Sequence, residues 1–126
     1  MLNKNIDASL AAGLRLGVIF DSENSDYLGW VLLKKHKPNE GILRNFSDQK
    51  DSALYHEEYQ SIQKPYLLMI VELKKSVHES GDYETDQDYR RKDIHRYSSL
   101  TEVEAVLHKL GYTLGDLKDS REIDAP

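Results

Sequence analysis

Leu14, Leu16, Val18 and Phe20 fall on every second position, and Leu28, Trp30 and Leu32 do the same with Val31 and Leu33 on the opposite face. A period of two is that of extended backbone. The polar stretch 21–26 between them reads as a turn, so the pattern predicts an antiparallel hairpin of strands near 14–20 and 27–35. Upstream, Leu2, Ile6 and Leu10 stand four apart with Gly13 where a helix terminates, which predicts a helix near 2–12. A short strand near 42–46 follows the turn at Gly41, and a helix near 53–63 is capped by Ser47 or Ser52 and stopped by Pro65. In that helix Tyr55, Tyr59 and Ile62 share a face.

The segment 66–75 is apolar on both faces from Tyr66 to Val71, which marks a strand inside a sheet. A further strand is expected near 89–97. Ser99-Leu-Thr-Glu102 is a capping box, and Leu100, Val103, Val106, Leu107 and Leu110 form the apolar stripe of a helix near 99–110 that Gly111 ends. The stretch 113–126 is polar, with Leu114, Leu117 and Ile123 as its apolar anchors, and reads as a loose tail. The pattern therefore predicts a single α+β domain over 1–126, with an antiparallel sheet of about four to five strands packed by three helices.

Composition narrows the function classes. The chain has 126 residues, which suffices for one core. It has no cysteine, which excludes disulfides, thiolate nucleophiles and cysteine-ligated zinc and suits a reducing cytoplasm. The N-terminus lacks the charged-then-apolar pattern of a signal peptide, and the longest apolar run is far short of a membrane span. The net charge of −5 makes nucleic acid a poor partner and a basic protein a good one.

Residues 82–88 read Asp-Tyr-Glu-Thr-Asp-Gln-Asp, with no base among them. If extended, Asp82, Glu84, Asp86 and Asp88 share one face, and Tyr83, Thr85, Gln87 and Tyr89 share the other. Asp and Gln are weak strand formers, so strand and loop both stay open. Such a comb of like charges needs a cation: a metal, a basic partner, or the neighbouring Arg90-Arg91-Lys92. Calcium fits badly, since an EF-hand loop needs glycine where Gln87 stands and glutamate where Asp93 stands. No metal is therefore expected, and no cofactor. A surface for a basic partner, with Tyr83 and Tyr89 as aromatic anchors, accounts for the segment more fully.

Other chemistry is thin. Glu72-Leu-Lys74 resembles the Glu-x-Lys half of the PD-(D/E)xK nuclease signature, in which the acid binds metal and the lysine supports the attacking water. The nearest upstream acids, Asp48, Asp51, Glu57 and Glu58, fall on the expected helix or its cap instead of a strand. His36, His56, His78, His95 and His108 are scattered, and neither His56-Glu57 nor His78-Glu79 has the second histidine of a metalloprotease helix. No nucleophile elbow or phosphate-binding glycine loop occurs. Arg90 to Lys92, with His95 and Arg96 between Tyr89 and Tyr97, has the look of an RNA-stacking patch, but neutralisation of the adjacent comb is the simpler account.

In size, in the segment Asp82 to Tyr89, and in the Ser99-to-Gly111 helix after a charged strand, the chain resembles the immunity proteins of bacterial polymorphic toxin systems, including contact-dependent growth inhibition. The resemblance implies a cytoplasmic, non-enzymatic protein that binds a cognate toxin domain, often a basic nuclease, and occludes its active site or substrate groove. It further implies that Asp82, Glu84, Asp86 and Asp88 stand in for nucleic-acid phosphates, flanked by Tyr83 and Tyr89. The alternatives are a metal-dependent nuclease using Glu72 and Lys74, or a regulatory adaptor that binds another protein.

Overall fold

The computed structural model describes residues 2–39, 53–81 and 84–126, and of residues 2–5 the backbone alone. The elements run α1 (Leu2–Ala11), β1 (Leu16–Asp21), β2 (Tyr27–Lys35), α2 (Ala53–Gln63), β3 (Tyr66–Lys74), α3 (Lys75–Ser80), β4 (Tyr89–Tyr97), α4 (Leu100–Lys109) and β5 (Lys118–Asp119). The five strands form one antiparallel sheet in the order β4-β3-β2-β1-β5, with helices completing an α+β fold. The strand expected near 42–46 lies outside the described residues.

The alternation read in the sequence sets the two faces of the sheet. Leu16, Val31, Leu33, Leu68 and Ile70 face Ile6 and Leu10 of α1 and Val103 and Leu107 of α4, in a core that also takes Leu114 and Leu117. On the other face Trp30, Leu32, Val71 and Leu73 are sealed by Leu28, Met69, Tyr89, Ile123 and Ala125. β3 contributes to both cores, which is why it reads as apolar on both sides. Gly13 ends α1 at φ 91°, a left-handed conformation that favours glycine. The Ser99 side chain accepts from the Glu102 N–H at 3.3 Å and caps α4, while the Glu102 carboxylate accepts from the N–H of Ser98, one residue before the cap position that a capping box uses.

Three features depart from the sequence reading. The stretch 113–126 is not a loose tail: Leu114 and Leu117 are buried, β5 pairs with β1, and the Ser120 N–H donates to the Arg15 carbonyl at 2.8 Å. Beyond it the Trp30 indole donates to the Ile123 carbonyl at 3.1 Å, and Arg15 donates to Pro126 at 2.7 Å. The few apolar anchors of this stretch suffice because each enters a preformed core. Secondly, residues 75–80 form the short helix α3, whose His78 ring lies 5.0 Å from the Trp30 ring. Thirdly, α2 turns Glu58 and Ser61 inward and leaves Tyr59 exposed. Its tyrosines stack on each other at 6.2 Å. The inward Glu58 carboxylate is satisfied by the Asn39 N–H and by the His36 ring at 2.9 Å, and these contacts outweigh the apolar pattern. Among the described residues no helix is long and apolar enough to cross a membrane.

Candidate functional site at the acidic end of the sheet

The antiparallel register brings two distant segments together. β1 leaves the sheet at Asp21 and β2 enters at Tyr27, while β3 leaves at Lys74 opposite Tyr27, and β4 enters at Tyr89 opposite Leu73. The 22–26 turn and the 75–88 connection therefore share one end of the sheet. The first, next to Asp21 at the end of β1, brings Glu23 and Asp26, and the second brings Glu79, Glu84, Asp86 and Asp88. These acids outnumber the local cations Lys74, Lys75, Arg90, Arg91 and Lys92. The opposite end carries Lys34, Lys35, Lys37, Lys64 and Arg96, so the sheet has an acidic end and a basic one.

The first turn is held by its own side chains. The Asn24 N–H donates to Ser22 Oγ at 3.1 Å, and the Asp26 N–H donates to Asn24 Oδ1 at 3.0 Å. In the second segment, Asp82 and Tyr83 lie outside the described residues. Residues 86–88 form a single 3₁₀ turn, so the carboxylates do not alternate along a strand. Asp88 Oδ2 accepts from the Thr85 N–H at 2.8 Å and caps that turn. Asp86 Oδ1 meets Lys92 Nζ at 3.4 Å, and Glu84 Oε1 accepts from the Tyr89 hydroxyl at 3.5 Å. Glu84 and Asp86 remain exposed, whereas Asp88 is turned back on its own loop. Tyr89 lies with its ring against the Trp30 core and under Lys92 Nζ at 5.0 Å. Burial, reinforced by the charge of Glu84, pushes its hydroxyl pKa above the usual tyrosine value.

A β-bulge shapes the inner part of this end. Glu72 pairs with Arg91 and Leu73 pairs with Tyr89, which leaves Arg90 as the extra residue on β4. Arg90 and Arg91 consequently both border one cleft of about 450 Å³. Its floor is Val31 and Ile70, its walls are Phe20, Leu110 and Tyr112, and its rim carries Asp21, Glu23 and the two arginines. Glu72 also lines it and is only 6% exposed. The Ser22 hydroxyl donates to Glu72 Oε1, and Arg90 Nη1 lies 3.6 Å from the same oxygen. Arg90 donates as well to Ser22 Oγ at 3.2 Å and approaches Glu23 at 3.7 Å, whereas Arg91 Nε is spent on Asp93. Phe20 can form a wall because its cross-strand partner is Gly29, over which the ring lies.

Glu72 is thus held by a hydroxyl and a guanidinium, and Lys74 beyond it is exposed. Among the described residues no three His, Asp or Glu side chains come together as metal ligands would, and Asp48 and Asp51 lie outside those residues. Sequence reasoning missed Ser22, Glu23 and Phe20, which it placed in an ordinary turn and strand. Their only signal was that a second acid-bearing turn lies next to a strand whose partner leads to the comb.

No protein-family model matches this sequence, and no curated protein or solved structure matches it either.

Proposed function

We propose that this protein is a cytoplasmic immunity protein that binds a cognate basic toxin domain, of the nuclease class, and covers its active site or substrate groove. The observation that carries the reading is the convergence of two separate acidic turns at one end of the sheet, beside the outer strand β4. An excess of carboxylates gathered at one sheet end speeds encounter with a basic surface and disfavours phosphate backbones. Carboxylates at Glu23, Glu84 and Asp86 occupy the positions that phosphates take in the toxin's groove. Asp88 contributes by fixing the turn that presents Asp86. Tyr89 supports that turn from the core.

The test is co-expression of the tagged protein with the product of the gene immediately upstream, followed by co-purification and a binding titration at several salt concentrations. A tight complex that weakens as salt rises is expected, because exposed charge pairs are screened. Reversing charge at Glu23 and Asp86 together (Glu23→Lys, Asp86→Lys) should weaken it at least about tenfold. A complex indifferent to both salt and these substitutions overturns the reading.

A further inference from the structure

We propose that the cleft between β1, the β4 bulge and the end of α4 receives a cationic side chain, an arginine or lysine, projected by the basic partner. The inference rests on the binding reading above and adds the anchor point.

The chemistry of the lining favours a cation over an anion. Glu72 is more than nine-tenths buried, so its carboxylate confronts any incoming group at close range with little water between. Asp21 and Glu23 add negative charge at the rim. Arg90 is engaged with Ser22, Glu72 and Glu23, and Arg91 holds Asp93 through its Nε. Arg90 shows that this acid set recognises a guanidinium, yet its ion-pair distances of 3.6 and 3.7 Å are longer than a tight charge-assisted bond. A second cation can therefore share Glu72 and Glu23 without evicting Arg90. The apolar part of the cleft fits the rest of such a side chain. Ile70 and Leu110 offer a surface for a methylene stem, and the rings of Phe20 and Tyr112 offer faces that attract a cation. An anion would meet three carboxylates, Asp21, Glu23 and Glu72, against the two arginines of the lining.

The test uses the whole ¹⁵N-labelled chain and three small probes: N-acetyl-arginine amide, N-acetyl-norleucine amide and N-acetyl-glutamate amide. The arginine probe is expected to shift the amides of Phe20, Glu72, Arg91 and Tyr112 saturably, at roughly millimolar concentration as one side chain in a half-open cleft allows. The norleucine probe should bind about tenfold more weakly or not at all, and Glu72→Gln should abolish the arginine response while the rest of the spectrum stays in place. Glu23→Lys, at the exposed rim, gives the same loss without touching the core. Shifts produced by the glutamate probe instead, or by none of the three, overturn the inference. The binding reading fails separately. A partner complex lost in the Glu23→Lys, Asp86→Lys double variant but unchanged by Glu72→Gln keeps that reading and removes the anchor. Saturable arginine binding with no partner complex keeps the anchor chemistry and removes that reading.

Discussion

Arg90 Nη1 lies 3.6 Å from Glu72 Oε1, and it arrives there because Arg90 is the extra residue of a bulge opposite the Glu72–Leu73 step. Without the bulge, strand alternation would put Arg90 on the face opposite Arg91. Removing the guanidinium leaves a buried carboxylate with the Ser22 hydroxyl as its remaining partner here. Arg90→Ala should cost about 1–3 kcal/mol by urea denaturation, and less when Glu72→Gln is already present. The coupling energy of the double-mutant cycle should exceed about 0.5 kcal/mol. Strict additivity would mean that the two groups do not sense each other.

The two aspartates of the 3₁₀ turn have different work to do. Asp88 caps the turn through the Thr85 N–H, whereas Asp86 meets the Lys92 ammonium at 3.4 Å with its own side chain 93% exposed. Asp88→Ala should cost about 1 kcal/mol of stability, and Asp86→Ala should stay within about 0.5 kcal/mol. The opposite ranking in thermal melts would mean that the turn is not held as described.

Leu117 gives a direct measure of how firmly the last residues are held. It is buried beside Leu114 in the main core. Leu117→Ala should cost about 2–5 kcal/mol, as for other buried leucines. An exposed leucine in a loose tail would cost almost nothing, so the denaturation midpoint separates the two cases cleanly.

Glu58 supplies a pH dependence. Burial opposes its ionisation, but the Asn39 N–H, the His36 hydrogen bond and the charges of His36 and Arg96 more than offset that, so its pKa lies below the usual glutamate value. The unfolded chain then takes up this proton at higher pH than the native protein does. The stability it contributes is full above the unfolded value of about 4.3 and is lost as pH falls through the lowered native value. Glu58→Gln should flatten the acid limb of the stability–pH curve below about pH 5. Identical acid limbs in the two proteins would count against this assignment.

Much of the fold was legible along the chain. The hairpin of β1 and β2, the two-faced strand β3 and the capped helix α4 each follow from apolar period and cap residues within one element, whereas β4 carries no apolar period and its start at Tyr89 was set by pairing with β3. The misses share a cause. β5 is two residues long, and the 113–126 stretch holds by a few contacts to strands far away in sequence, so no local period announces either. The inward Glu58 face of α2 was hidden for the same reason, since its partners His36 and Asn39 come from another segment.

The sequence by itself determined the longer strands and helices and that acid is concentrated around residues 82–88, because periodicity and composition are local properties of the chain. Only the tertiary structure decided where that acid goes. Strand register brought Glu23 beside Arg90, a one-residue bulge turned Arg90 toward Glu72, and a 3₁₀ turn divided Asp86 from Asp88. Pairing register and bulges arise from contacts between strands, and no pattern within a single strand specifies them.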